Sequence, residues 1–275
     1  MSASEVSAVD KRVGEFYDDV AGMVEILGGN VHVGYWWGDD DRTPFLEAIN
    51  RLTDIVGAKL DLRPGQRLLD VGCGVGVPAI RLGQRTDATI TGITVSGWQV
   101  GEATRRVNAA GLRGQVRIEY GDAAALVYSD GSFDAVLAFE SLPNAHDRGQ
   151  WLREMARVLR PGGRIVLTDL TQEVSLTEQD IDLLRAFTMK PPLPSLELVD
   201  LVRSSGFVVD EFVSCGDRVR RYYTAYFEQV ARRRAELVAA YGEKKVDKYE
   251  FGMVPLLGLC QEKIGYVIIA GRKPA

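Results

Sequence analysis

Asp70, Gly72, Gly74 and Gly76 stand at alternate positions in Leu-Leu-Asp-Val-Gly-Cys-Gly-Val-Gly (68–76), where a short apolar run meets a segment of helical composition. Glycines so spaced let the backbone turn tightly and lie against a ligand, because no Cβ stands in the way. A helix that opens directly after such a turn offers unpaired N–H groups and the positive end of its dipole. Together with an acidic residue closing the strand, this is a nucleotide-type site at the carboxyl edge of a parallel sheet. The spacing excludes two common versions of that site. A dinucleotide fingerprint needs G-x-G-x-x-G, and a triphosphate loop needs G-K-[ST]; here Pro78 and Ala79 follow the glycines and the turn has no lysine. What remains suits a ligand with a cationic amino-acid tail, met from Asp70 through hydrogen bonds.

Further along comes Gly-Ile-Thr-Val-Ser-Gly-Trp-Gln (92–99). Many nucleotide sites place an acidic residue here to hold the ribose hydroxyls. This chain has Thr94, which leaves the ribose to Ser96 and Gln99, about one turn apart at the start of a helix. Ser96 also suits the helix N-cap, and one hydroxyl can serve both purposes. Proton transfer near neutral pH has two histidines to draw on, His32 and His146. His146, beside Asp147, is the candidate base, with a solvent-facing helix start as its plain alternative. His32 reads as structural. No His, Cys and carboxylate group has ligand spacing, so no metal is expected.

The elements that must position these residues follow an alternating rhythm. Strands are predicted at 67–72, 89–94, 116–120, 133–138 and 164–169, with helices near 78–84, 97–110 and 148–159. Such alternation implies an α/β fold of parallel strands joined by right-handed crossovers. Continuous apolar runs such as Ala135-Val136-Leu137-Ala138 fit strands buried on both faces. Two more strands, 207–212 and 265–270, complete a seven-stranded sheet. Residues 1–60 are expected to form a helical N-terminal cover, 61–215 with 263–275 the core, and 216–262 a helical lid. The lid begins with Val219, Tyr222, Tyr223, Tyr226, Phe227, Val230, Leu237, Val238 and Tyr241 at helical spacing. That stripe reads mainly as core packing, and the proline-rich 190–194 as a rigid connector into the cap.

Composition bounds the partners. The 275 residues carry a net charge of −5, with 46% hydrophobic and 26% charged residues, as in an ordinary globular protein. Nucleic-acid binding rests on basic patches, which this balance does not favour. No run reaches membrane length, and three scattered cysteines make no disulfide framework. The expectation is a cytoplasmic protein with a small-molecule, largely apolar substrate. Its oligomeric state is left open.

Asp-Val-Gly-Cys-Gly-Val-Gly (70–76) resembles motif I of class I S-adenosylmethionine (SAM) methyltransferases, and Gly-Ile-Thr-x-Ser-x-x-Gln (92–99) resembles a subgroup of them. That subgroup includes sugar O-methyltransferases of antibiotic pathways, sterol C-24 methyltransferases and cyclopropane mycolic acid synthases. Ala-Arg-Val-Leu-Arg-Pro-Gly-Gly (156–163) matches the same family's approach to its fifth strand. The resemblance implies a Rossmann-like core that binds SAM or S-adenosylhomocysteine (SAH). It implies that Asp122 and Ala123 hold the adenine and that Glu140 lines the methionine portion. It also implies that Tyr17 and Tyr35, in the Y-D and G-Y-W elements, cover the cofactor.

The sequence departs from the family in one place. After Glu140-Ser141-Leu142, where the sugar O-methyltransferases carry a His-His pair, it reads Pro143-Asn144. O-methylation of a polyketide, glycoside or terpenoid is the leading expectation, with His146 as base or with proximity alone sufficing. C-methylation of an alkene is a second reading, with Tyr17 and Tyr35 stabilising a carbocation. A third is a methyltransferase fold that keeps SAM as structure and closes a ring by a Diels–Alder-type reaction, as the spinosyn-pathway cyclase does.

Overall fold

The structure is a computed structural model, and it describes residues 14, 15, 23, 26, 27, 29 and 32–275. Its elements in chain order are α1 (Phe45–Leu60), β1 (Arg67–Val71), α2 (Val77–Arg85), β2 (Thr89–Thr94), α3 (Gly97–Ala109), β3 (Val116–Tyr120) and β4 (Phe133–Phe139). There follow a 3-10 turn (Leu142–Asn144), α4 (Arg148–Val158), β5 (Leu159–Gln172), α5 (Glu178–Ala186), α6 (Ser195–Ser204) and β6 (Val208–Ser214). The chain ends with α7 (Gly216–Val219), α8 (Arg221–Tyr241), α9 (Glu243–Lys263) and β7 (Ile264–Arg272).

The strands form one seven-stranded sheet in the order β3-β2-β1-β4-β5-β7-β6. Side chains alternate across it and feed two apolar clusters. In β4, Ala135, Leu137 and Phe139 join the cluster that also holds α1, α8 and α9, while Val136 and Ala138 join the cluster beneath α4 and α6. Burial on both faces is why these strands read as continuous apolar runs. Winding reverses between β1 and β4, which pair in parallel, and that reversal opens a crevice at their carboxyl ends.

One strand breaks the parallel expectation. β7 runs antiparallel to both β5 and β6, because the chain returns to the sheet from the cap end after α9. The proline-rich 190–194 also differs from its expected role. It leads out of the cap region into α6, with Pro194 at the N-cap, and is tied to the core where Gln172 donates to Leu193. The tyrosine stripe does form an amphipathic helix, α8, with Tyr222, Tyr223, Tyr226, Val230 and Leu237 buried. α9 pairs with α8 and continues the same apolar cluster through Val246, Leu256, Leu257, Leu259 and Cys260. Leu184 of α5 belongs to that cluster too.

Candidate active site

A cavity of about 270 Å³ lies where the carboxyl edge of β1, β2 and β4 meets α8 and α9. The glycine turn forms one wall. Gly72, Gly74 and Gly76 all take positive φ (77°, 53° and 76°). A Cβ on Gly72 would lie 2.5 Å from the Ser141 Cβ, so this position has neither the backbone freedom nor the space for another residue. The turn is anchored as Gly72 and Cys73 N–H groups both donate to the Ile93 carbonyl at 2.9 Å. Gly76, at the N-cap of α2, shapes the turn without lining the cavity.

Asp70 closes β1 beneath this turn and lines the cavity. Its two carboxylate oxygens are buried without a hydrogen-bond partner among the described residues, and burial pushes its pKa up to about 7. The Ser141 hydroxyl is likewise buried and unpartnered. Opposite them, Thr94, Ser96 and Gln99 interlock. Thr94 Oγ1 donates to Gln99 Oε1 at 2.5 Å, and the Gln99 N–H donates to Ser96 Oγ at 3.0 Å, so Ser96 caps α3 while all three line the cavity. Gly121 and Ala123 line it after β3. Asp122, between them, accepts from the Ala124 N–H at 2.7 Å as a turn residue and is outside the lining.

The segment after β4 carries the most unusual backbone. Glu140 has φ +50°, a region that costs a non-glycine residue energy unless its surroundings enforce it. The surroundings are visible. Its N–H donates to Thr168 Oγ1 at 3.0 Å, and its Oε1 accepts from the Val33 N–H at 3.0 Å and from Tyr266 Oη at 2.7 Å. Among the described residues Oε2 has no hydrogen-bond partner, and the residue lines the cavity. Desolvation outweighs those donors and pushes the carboxyl up to about 7.

His146 and Tyr35 join Gly76 and Asp122 outside the cavity lining. His146 is exposed, because the 3-10 turn directs Pro143 and Asn144 inward and the approach to α4 turns the next residues out. Asp147 does not serve it as a partner; it caps α4 by accepting from the Gln150 N–H at 2.9 Å. Tyr35 is buried against Trp37 (ring centroids 5.1 Å) and stays outside the lining. Its neighbours His32 and Val33 reach the cavity instead. His32 bonds the Val33 carbonyl through Nδ1 and Thr53 Oγ1 through Nε2, stacks on Phe139, and is pushed down to about 4 by burial. It is neutral at physiological pH. Tyr17 lies outside the described residues.

The far wall is aromatic and aliphatic: Phe187 and Met189, then Tyr222, Tyr223 and Tyr226 from α8, and Tyr249, Met253, Leu256 and Leu257 from α9. A glycine cradle, an orphaned carboxylate and an apolar chamber thus share one space. Residues 69–167 match the model of the methyltransferase domain. Methyltransferase GfsG of Streptomyces halstedii is 35% identical over 97% of this chain and 96% of its own length. The 27-O-demethylrifamycin SV methyltransferase of Amycolatopsis mediterranei is also 35% identical, over 95% of this chain and 97% of its own.

The chain belongs to the SAM-dependent methyltransferases.

A solved structure adds a contrast within that family. The [4+2]-cyclase SpnF superposes with a TM-score of 0.86 at 30% identity, covering 99% of this methyltransferase and all of the cyclase. The cavity fits SAM on its own chemistry. Asp70 and Ser141 offer buried groups that lack partners, and the turn at Gly72 leaves backbone where a side chain would stand. The sequence motifs locate this half. The resemblance places Glu140 beside the methionine portion; that its second oxygen is left to the chamber was not legible, because this depends on contacts from Val33, Thr168 and Tyr266, all distant in the chain.

Proposed function

We propose that this methyltransferase moves the SAM methyl group to a hydroxyl of a bulky, largely apolar small molecule of secondary metabolism. When bound, the cofactor supplies an electrophilic methyl group on a sulfonium. Asp70 and the turn bearing Gly72, Gly74 and Gly76 hold its amino-acid end; Thr94, Ser96 and Gln99 hold the ribose; Asp122 and Ala123 take the adenine. Tyr17 and Tyr35 belong to the cover, Tyr35 by bracing 32–37 from outside the cavity. Glu140, rather than His146, receives the proton of the acceptor hydroxyl.

The observation carrying this reading is that one cavity joins the glycine cradle to an unpartnered carboxylate oxygen and an apolar, tyrosine-rich wall. The rifamycin relative, a methyltransferase named for an O-demethylated acceptor, supports transfer to oxygen. The cofactor wall and the apolar wall face each other, so proximity and orientation supply much of the acceleration, while Glu140 supplies the base. A cytoplasmic location belongs to the same reading, supported by three buried free cysteines, and so does a soluble small-molecule partner rather than a nucleic acid or membrane.

The similarity to SpnF favours a second reading, cyclisation with no methyl moved. A pericyclic closure needs a shaped chamber and no base. Glu140 separates the two. As a base it acts ionised, so transfer rises with pH and levels off above about 7. Glu140→Gln is expected to lose about 10²–10⁴-fold in kcat while SAH affinity by calorimetry is kept. Full methylation by that variant would contradict the assignment.

A further inference from the structure

Two phenols meet across the cap. Tyr226 of α8 and Tyr249 of α9 both line the cavity, and their hydroxyls are hydrogen-bonded to each other. Among the described residues no other hydrogen bond reaches either group. Two hydroxyls carry two protons, and the bond between them uses one. Among the described residues the second proton has no acceptor. Its surroundings are mainly apolar, with Met253, Leu256 and Leu257 on the same wall and Phe187 nearby, beside the Tyr222 phenol. Tyr226 is 7% exposed and its ring is fixed by Tyr222 at 5.7 Å and Phe45 at 6.4 Å.

An enclosed donor without an acceptor is costly, and a ligand oxygen placed against it relieves the deficit. We propose that the Tyr226–Tyr249 pair is a specificity subsite. It donates one hydrogen bond to a carbonyl, ether or hydroxyl oxygen of the substrate, at the end remote from the methylated oxygen. The substrate class narrows accordingly: an apolar frame with an acceptor hydroxyl at the cofactor end and a second oxygen at the cap end. The pair touches neither the glycine turn nor Glu140, so its role is positioning. The inference rests on the small-molecule reading above, and binding can be tested apart from catalysis.

The test uses matched probes on the SAH-saturated protein, measured by calorimetry. Estrone, a phenol with a distant ketone, is compared with the same steroid lacking the ketone; zearalenone is compared with the same macrolactone lacking its ketone. Wild type is expected to prefer the ketone member by roughly 2- to 12-fold, the range of one neutral hydrogen bond. Tyr226→Phe and Tyr249→Phe each keep that preference, since the remaining hydroxyl turns its proton to the ligand. The double variant loses it while the ketone-free probe binds as before, an outcome that a purely structural pair would not give. Equal affinities within each pair in wild type would overturn the proposal, as would a preference surviving in the double variant or no binding of either pair. Preferential binding without methyl transfer to the phenol would count against the proposed reaction and leave the subsite standing.

Discussion

Glu140 and Asp70 are two buried carboxylates at the ends of neighbouring strands, and their surroundings give them different work. Glu140 is gripped on one oxygen by Tyr266 and Val33, which leaves the other oxygen to the chamber. Asp70 has no hydrogen-bond partner on either oxygen among the described residues. A carboxyl whose folded value is near 7, above its ordinary 3.8, is held neutral by the fold. The destabilisation it causes is therefore absent below the ordinary range, grows as pH rises, and is complete above about 7. Asp70→Asn is expected to raise the melting temperature of the cofactor-free protein more at pH 8 than at pH 5, and to weaken SAH binding at both. A variant less stable at pH 8 than wild type would contradict this. Gly72→Val is expected to abolish SAH binding by calorimetry, because the new Cβ meets Ser141 and the φ of +77° is hostile to a β-branched residue; undiminished affinity would show that the turn is not the cradle. The glycine turn was legible in the sequence because its spacing leaves one backbone solution. The base was not. His146 sits only two residues from Asn144, yet that step across a 3-10 turn takes it from the cavity to solvent.

At the scale of elements, local pattern and tertiary context divide cleanly. β2 and β3 begin and end where the alternation of apolar residues places them, and α8 follows its tyrosine stripe. β5 starts at Leu159, earlier than its apolar run at Arg164, since Phe133 pairs with Leu159 across a register shift. The antiparallel entry of β7 depends on which end of the sheet the chain returns from, and a strand's composition carries no such record. α9 lies within the helical lid expected at 216–262, but no apolar stripe marks it as α8 is marked. Gly252, Pro255 and Gly258 weaken helical propensity within its 21 residues, and Pro255 removes one internal donor. Packing against α8 and α5 offsets that cost. A Cβ on Gly258 would meet nothing within 4 Å. Gly258→Ala is accordingly expected to stabilise the protein by about 0.5–1 kcal/mol in urea denaturation without changing SAH affinity. Destabilisation would mean that α9 needs that glycine for a contact or a bend.

Over the whole molecule, the cover and the lid are one assembly. The 32–44 segment is clasped to α7 and the start of α8: the Trp36 N–H donates to the Arg218 carbonyl at 2.9 Å, Arg218 and Arg221 donate to the Trp37 and Asp41 carbonyls, and Arg221 lies over the Trp36 ring. Asp41 in turn binds Arg51, Thr43 and the Trp37 N–H, which hold its carboxyl well below the usual range. The sheet places the cofactor, and the clasped helices wall in whatever faces it. That division explains why the fold and the cofactor half were readable from motifs while the acceptor was not, since the chamber's far wall comes from the segment after α5 (Phe187 and Met189) and from α8 and α9. Methyl transfer to oxygen is tested most directly by incubating the protein with methyl-labelled SAM and a panel of apolar phenols, alcohols and macrolactones, then following mass and label together. The expected result is a product heavier by one methyl replacing one hydrogen, with the label on oxygen. A substrate consumed to an isomer of unchanged mass, with all label left on SAM, would contradict it and identify the chamber as a cyclase's.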